Sequence, residues 1–248
     1  MVKKVKCICG CFWITLSFVL FIGIVSSIIM MNVQNALEYI ALISGMAQLL
    51  YFILVIILLK LRGVAIQDRC EVKHVSYKKY ILPAMTAFCF STFSNIVQAN
   101  LPIPEALMGD IENDLGSGVV AFIISVFIIA PIVEEVVFRG LIMTKLRKEI
   151  SATASSLISA MLFAIIHFMA GGSVTVVHAF FGGLIFALVY EKTKSLLPAI
   201  VAHSFGNIGG FVPQAIQSCS AIIRYMIGAV FMIVTILLCV GLKQKEIN

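Results

Sequence analysis

Apolar residues run along this chain in stretches of about twenty, parted by short polar links. A helix rises 1.5 Å per residue and needs about 20 apolar residues to cross a ~30 Å hydrocarbon core. Eight stretches fit that reading: residues 12–31, 37–61, 80–99, 119–145, 154–169, 174–190, 196–213 and 222–242. The fifth to seventh are the shortest. A membrane β-barrel would show roughly ten-residue alternating segments instead. The pattern predicts an all-α fold, a polytopic membrane helix bundle of about eight transmembrane spans. It also predicts a single transmembrane domain over residues 1–248.

The links set the orientation. Basic residues crowd the N-terminus (Lys3, Lys4, Lys6), the second link (Lys60, Arg62, Arg69, Lys73, Lys78, Lys79), the fourth (Lys145, Arg147, Lys148), the sixth (Lys192, Lys194) and the tail (Lys243, Lys245). The links between those carry none. The third holds Pro102, Pro104 and the acids Glu105, Asp110, Glu112 and Asp114, and is expected outside with a short surface helix. Basic residues stay on the cytoplasmic side. The alternation therefore predicts eight spans with both termini cytoplasmic, and a miscount of one would break it.

Composition agrees. Of 248 residues, 61% are hydrophobic and 12% charged, against about 25% charged in a soluble domain. The net charge of +6 reads as topology and does not point to a nucleic-acid partner. The partner expected from composition is the lipid bilayer. Lys3-Lys4-Val5-Lys6 before an apolar run resembles a signal peptide. The run is longer than a signal core and lacks a clear cleavage site, so an uncleaved first span is expected. Cys7, Cys9 and Cys11 lack the two-residue spacing of common zinc sites and are expected to bind no metal.

The fourth span breaks the apolar rule. Glu134, Glu135 and Arg139 fall within six residues. A charge at the membrane centre costs about 2.5–3.5 kcal/mol on insertion scales, so such groups face the bundle interior, pair, and mark function. Glu135 and Arg139 are one helical turn apart and can pair. Glu134 is rotated about 100° from Glu135, which leaves it for general acid–base work or for a lock between helices. His167 shares a helix face with Phe163, and His203 with Asn207. At 1.5 Å per residue, Glu134 and Asn207 lie ~16 Å from the cytoplasmic end, His203 ~10 Å and His167 ~20 Å. These depths allow one shared cavity. His178 should sit nearer the outer face and outside the site, and His74 lies in a basic link. Pro131 is expected to bend the fourth span and free a carbonyl. The glycine pairs from Gly171 to Gly210 are expected to let spans five, six and seven pack closely.

Glu134-Glu135-x-x-x-Arg139, Phe163-x-x-x-His167 and His203-x-x-x-Asn207 resemble the three ordered motifs of the CPBP family. These are intramembrane CAAX-prenyl-protease-like and bacteriocin-processing proteins, also called ABI proteins. The motif-bearing core would cover about residues 118–213. The resemblance implies an intramembrane endopeptidase acting on a peptide or protein substrate, glutamate-dependent and often classed as a metalloprotease. It implies that Glu134 activates water and His167 positions or deprotonates it. His203 and Asn207 would stabilise the oxyanion, with Glu135, Arg139 and Phe163 in support. Glu134, His167 and His203 could hold Zn2+ with water as fourth ligand, though no His-Glu-x-x-His stands on one helix. Two other roles fit the same residues: a non-catalytic bacteriocin-immunity or membrane scaffold protein, and a transporter with a carboxylate proton relay. The chain's compactness suggests a bacterial plasma membrane.

Overall fold

The computed structural model describes residues 2–100 and 119–244. The acidic third link, with its expected surface helix, lies outside the described residues. Among the described residues the regular structure is helical, with no strand. The main helices are α1 (Val2–Met30), α2 (Ile40–Leu61), α3 (Lys78–Asn100), α4 (Val119–Leu146), α5 (Ala152–Ile166), α6 (Phe168–Thr193), α7 (Leu196–Gly209) and α8 (Ala221–Gln244). Among the described residues, seven helical stretches are long and apolar enough to cross a membrane; α7 does so as part of Leu196–Ala215, and α5 is the short exception. The chain is an integral membrane protein, an all-α polytopic helix bundle consistent with about eight spans. Phe12, Trp13, Leu20 and Ile24 on α1 are exposed, as are Met226, Val230 and Leu237 on α8. Lipid tails are as apolar as these side chains, so such faces belong in the bilayer.

The chain divides into two compact units, Met1–Val72 with Asp110–Leu162, and Lys73–Gly109 with Phe163–Asn248. In the first, α2 packs against α1 and α4. Phe18 of α1 meets Tyr51 of α2 and Phe138 of α4 edge-on, with ring centroids 5.1 and 6.1 Å apart. Ser159 of α5 donates to the Phe138 carbonyl at 2.8 Å.

In the second unit α3 is the central helix, packed on α6, α7 and α8. Gly209 makes the α3–α7 approach possible. A Cβ there would lie 2.5 Å from the Phe88 carbonyl oxygen, and Thr92 donates to the Gly209 carbonyl at 3.1 Å. The expected partners of this glycine were spans five and six; the observed one is the third. Helix α7 starts where Ser195 caps it, accepting from the Leu197 N–H.

One junction departs from the sequence expectation. Gly171-Gly172-Ser173 does not separate the fifth and sixth helices, because α6 runs straight through it. The break is at His167. There the backbone N–H bonds the Ala164 carbonyl, three residues back. The Phe163 carbonyl, which an α-helix would offer to that N–H, takes the His167 ring nitrogen at 2.7 Å. The side chain replaces its own backbone and the helix ends.

Candidate functional site

Two groups of expected site residues occur, one in each unit. In the first unit, α4 carries Glu134, Glu135 and Arg139. It is not a uniform α-helix: Ser125–Ile129 and Val136–Met143 are π-helical. The first π turn directly precedes Pro131. Proline has no N–H to give the ladder, and the Ala130 N–H reaches back five residues to the Ser125 carbonyl. The second begins right after the two glutamates, and the Thr144 N–H reaches the Arg139 carbonyl. Such wide turns inside helices occur often at functional sites.

Wide turns leave carbonyls out of register, and neighbours take them. Thr144 Oγ1 donates to the Gly140 carbonyl. Arg69 donates to Thr144 Oγ1 and, at 3.1 Å, to the Leu141 carbonyl. Cys7 and Cys11 of α1 donate to the carbonyls of Lys145 and Ile142. Cys70 is buried against Gly140, where a Cβ would lie 2.5 Å from its Sγ. Burial pushes this thiol up to about 11, with the adjacent Arg69 charge pulling weakly the other way. The sequence marks Arg69 as a basic link residue and Cys7 and Cys11 as a juxtamembrane pair, but nothing in it points to these carbonyls as their partners or to the packing of Cys70.

Arg139 donates to Glu135 at 2.8 Å, and both side chains are 0% exposed. The expected pairing is therefore present. Burying two charges is offset only by good geometry and further hydrogen bonds. Glu134 is 8% exposed, on the neighbouring face.

The second unit holds a cavity of about 100 Å3, roomy enough for several waters. His167, His178, His203 and Asn207 line it, and small residues such as Ala87, Ala179, Gly182 and Gly206 leave the space. His203 stacks on Phe186 with centroids 4.5 Å apart and meets Phe163 edge-on at 5.6 Å. The His167 ring lies 4.5 Å from Phe163. Phe163 thus separates and orients two imidazoles. His203 and Asn207, one turn apart on α7, both face the cavity as their spacing predicts. His178, expected outside the site, lines the same cavity. It stacks on Phe90 at 5.4 Å and bonds Ser94 Oγ through Nδ1 at 2.8 Å. Helix α6 starts six residues earlier than the apolar run suggests, so His178 lies well inside it and not near its start.

Among the described residues no three His, Cys, Asp or Glu side chains are grouped as the ligands of one metal ion would be. The first unit offers buried carboxylates, and the second imidazoles and an amide.

No curated protein and no solved structure matches the chain. Residues 116–209 match the family model of the Rce1-like type II CAAX prenyl endopeptidases. That stretch runs through all three motifs, from Glu134 to Asn207, and at the level of the family it is similar to intramembrane endopeptidases, the CPBP kinship that the motifs resemble.

Proposed function

We propose that this chain hydrolyses a peptide bond in a membrane-associated or peptide substrate, as in CAAX-protease-like or bacteriocin leader-peptide processing. The observation that carries the reading is the second-unit cavity. His167, His203 and Asn207 line one space inside a segment matched by an endopeptidase family. The proposal treats residues 1–248 as a single transmembrane domain with its motif-bearing core at about 118–213. Both termini are cytoplasmic, in a bacterial plasma membrane.

In the proposed reaction Glu134 is the general base. It takes a proton from a water that His167 positions, and the water oxygen bonds to the scissile carbonyl carbon. Negative charge moves onto the carbonyl oxygen, where His203 and Asn207 donate hydrogen bonds. Collapse of the tetrahedral intermediate breaks the C–N bond, and the proton held by Glu134 passes to the leaving amine. Glu135 and Arg139 hold the helix beside the base. Phe163 keeps the two rings apart.

The test compares small peptides from cells carrying the unaltered chain and Glu134→Gln, by mass spectrometry. A cleaved product should vanish in the variant, and purified protein should make it from the identified precursor. Folded Glu134→Gln protein that cleaves at the normal rate would end the assignment of the base. Cellular function retained by that variant, with no cleaved peptide, is the result expected of an immunity or scaffold protein.

A further inference from the structure

The cavity histidines differ in what holds each ring. His167 Nδ1 lies 2.7 Å from the Phe163 carbonyl oxygen. A carbonyl only accepts, so Nδ1 carries a proton, and in the neutral form of the ring Nε2 is the acceptor. His178 faces a hydroxyl instead, which can donate or accept. Its Nδ1 lies 2.8 Å from Ser94 Oγ, and that oxygen accepts from Gln98 Nε2 at 3.2 Å. An amide N–H only donates. Gln98 fills one of the two acceptor positions of the serine oxygen, and the arrangement that also uses the hydroxyl hydrogen turns it to His178 Nδ1. Donors aligned in one direction strengthen one another. In that arrangement His178 is the Nε2–H tautomer, and its ring stacks on Phe90.

We propose that His178 is a substrate-binding residue, outside the three motifs, whose Nε2–H donates to a backbone carbonyl of the peptide. The proposal rests on the peptidase reading above. The cavity lining holds no Lys, Arg, Asp or Glu. A neutral carbonyl suits such a wall, because a carboxylate brought there would lose its hydration without a countercharge. The relay of Gln98 and Ser94 on α3 sets the donor. A bound peptide would meet opposite hydrogen-bonding characters at His167 and His178, which fixes its orientation.

The test has two arms on the full chain in detergent micelles. In the first, 15N-histidine labelling reads the tautomer of each ring by long-range N–H couplings. His178 should show a protonated Nε2 and His167 a protonated Nδ1, and Ser94→Ala should disturb the His178 signals selectively. This arm uses the unaltered sequence, so it does not depend on a variant folding. In the second, the peptide identified as above is cleaved by His178→Phe and His178→Gln. His178→Phe should raise KM about 3- to 10-fold, the worth of one neutral hydrogen bond, with kcat nearly unchanged. His178→Gln, which keeps an N–H, should recover most of the loss. A protonated Nδ1 on His178 would overturn the proposal. So would the assigned tautomers with an unchanged KM in His178→Phe. Failure of the unaltered protein to cleave any peptide would remove the peptidase reading and the peptide ligand together, an outcome distinct from either.

Discussion

The two units solve opposite problems with polar groups in an apolar chain. In the first, Glu135 and Arg139 are sealed, ionic and bound to each other. The helix that carries them is pinned at its basic end by Arg69, Cys7 and Cys11. In the second, three imidazoles and an amide stand around open volume, two of the rings stacked on phenylalanines, with no Lys, Arg, Asp or Glu in the lining. A sealed pair resists change, and a cavity leaves room. Charge within a membrane span therefore does not by itself mark where a ligand sits. Volume does.

The hardest way to break the contrast is to show that the two units act on one bond. Glu134→Gln should lower cleavage by more than 10³-fold, since it removes the base while the donors alone are worth about 10²–10³. Adding His203→Ala to it should cost little more, because groups acting as one catalytic unit are grossly non-additive. Losses that multiply in the steady-state rates would mean separate sites.

The next largest effect tests the lock. Arg139→Leu leaves Glu135 buried without its cation, which costs about 3–5 kcal/mol. Folded yield and thermal stability should fall together. A stable, fully active variant would show the pair to be dispensable.

Asn207→Ala tests the open side. It should slow turnover by about 10²–10³-fold while leaving the melting behaviour close to that of the parent. An equal loss of stability would make Asn207 a packing residue like those of the first unit.

The smallest effect sharpens the picture of the pinned helix end. With its pKa pushed up to about 11, Cys70 stays a thiol at pH 8, and only a thiolate alkylates readily. Iodoacetamide should modify the exposed Cys9 well before Cys70, and Cys70 should gain reactivity only as pH climbs towards 11. Equal rates at pH 8 would mean that Cys70 is not packed on Gly140.

Much of this was legible in the sequence because membrane physics is strict. Long apolar runs gave the helices, and four-residue spacing gave the Glu135–Arg139 pair and the shared face of His203 and Asn207. The departures came where side chains replace backbone partners. No hydropathy count reveals that the His167 ring takes the Phe163 carbonyl, so the boundary between α5 and α6 was placed at glycines. The π turns escaped for a similar reason. A ladder shifted by one residue depends on donors such as Arg69, distant in sequence. Depth alone puts His178 near the outer face, and depth inherits every error in a boundary.

The stop at His167 has a bearing on how variants are designed. The imidazole that lines the cavity is also what ends α5, so deleting it changes grammar as well as vocabulary. An alanine at 167 would restore the ordinary backbone bond to Phe163 and let one helix read through into the next. Any alanine scan of this chain will therefore overstate the chemistry of that ring. Asparagine, whose short amide also tolerates a break in the helix, separates the two roles: it keeps the punctuation and removes the imidazole.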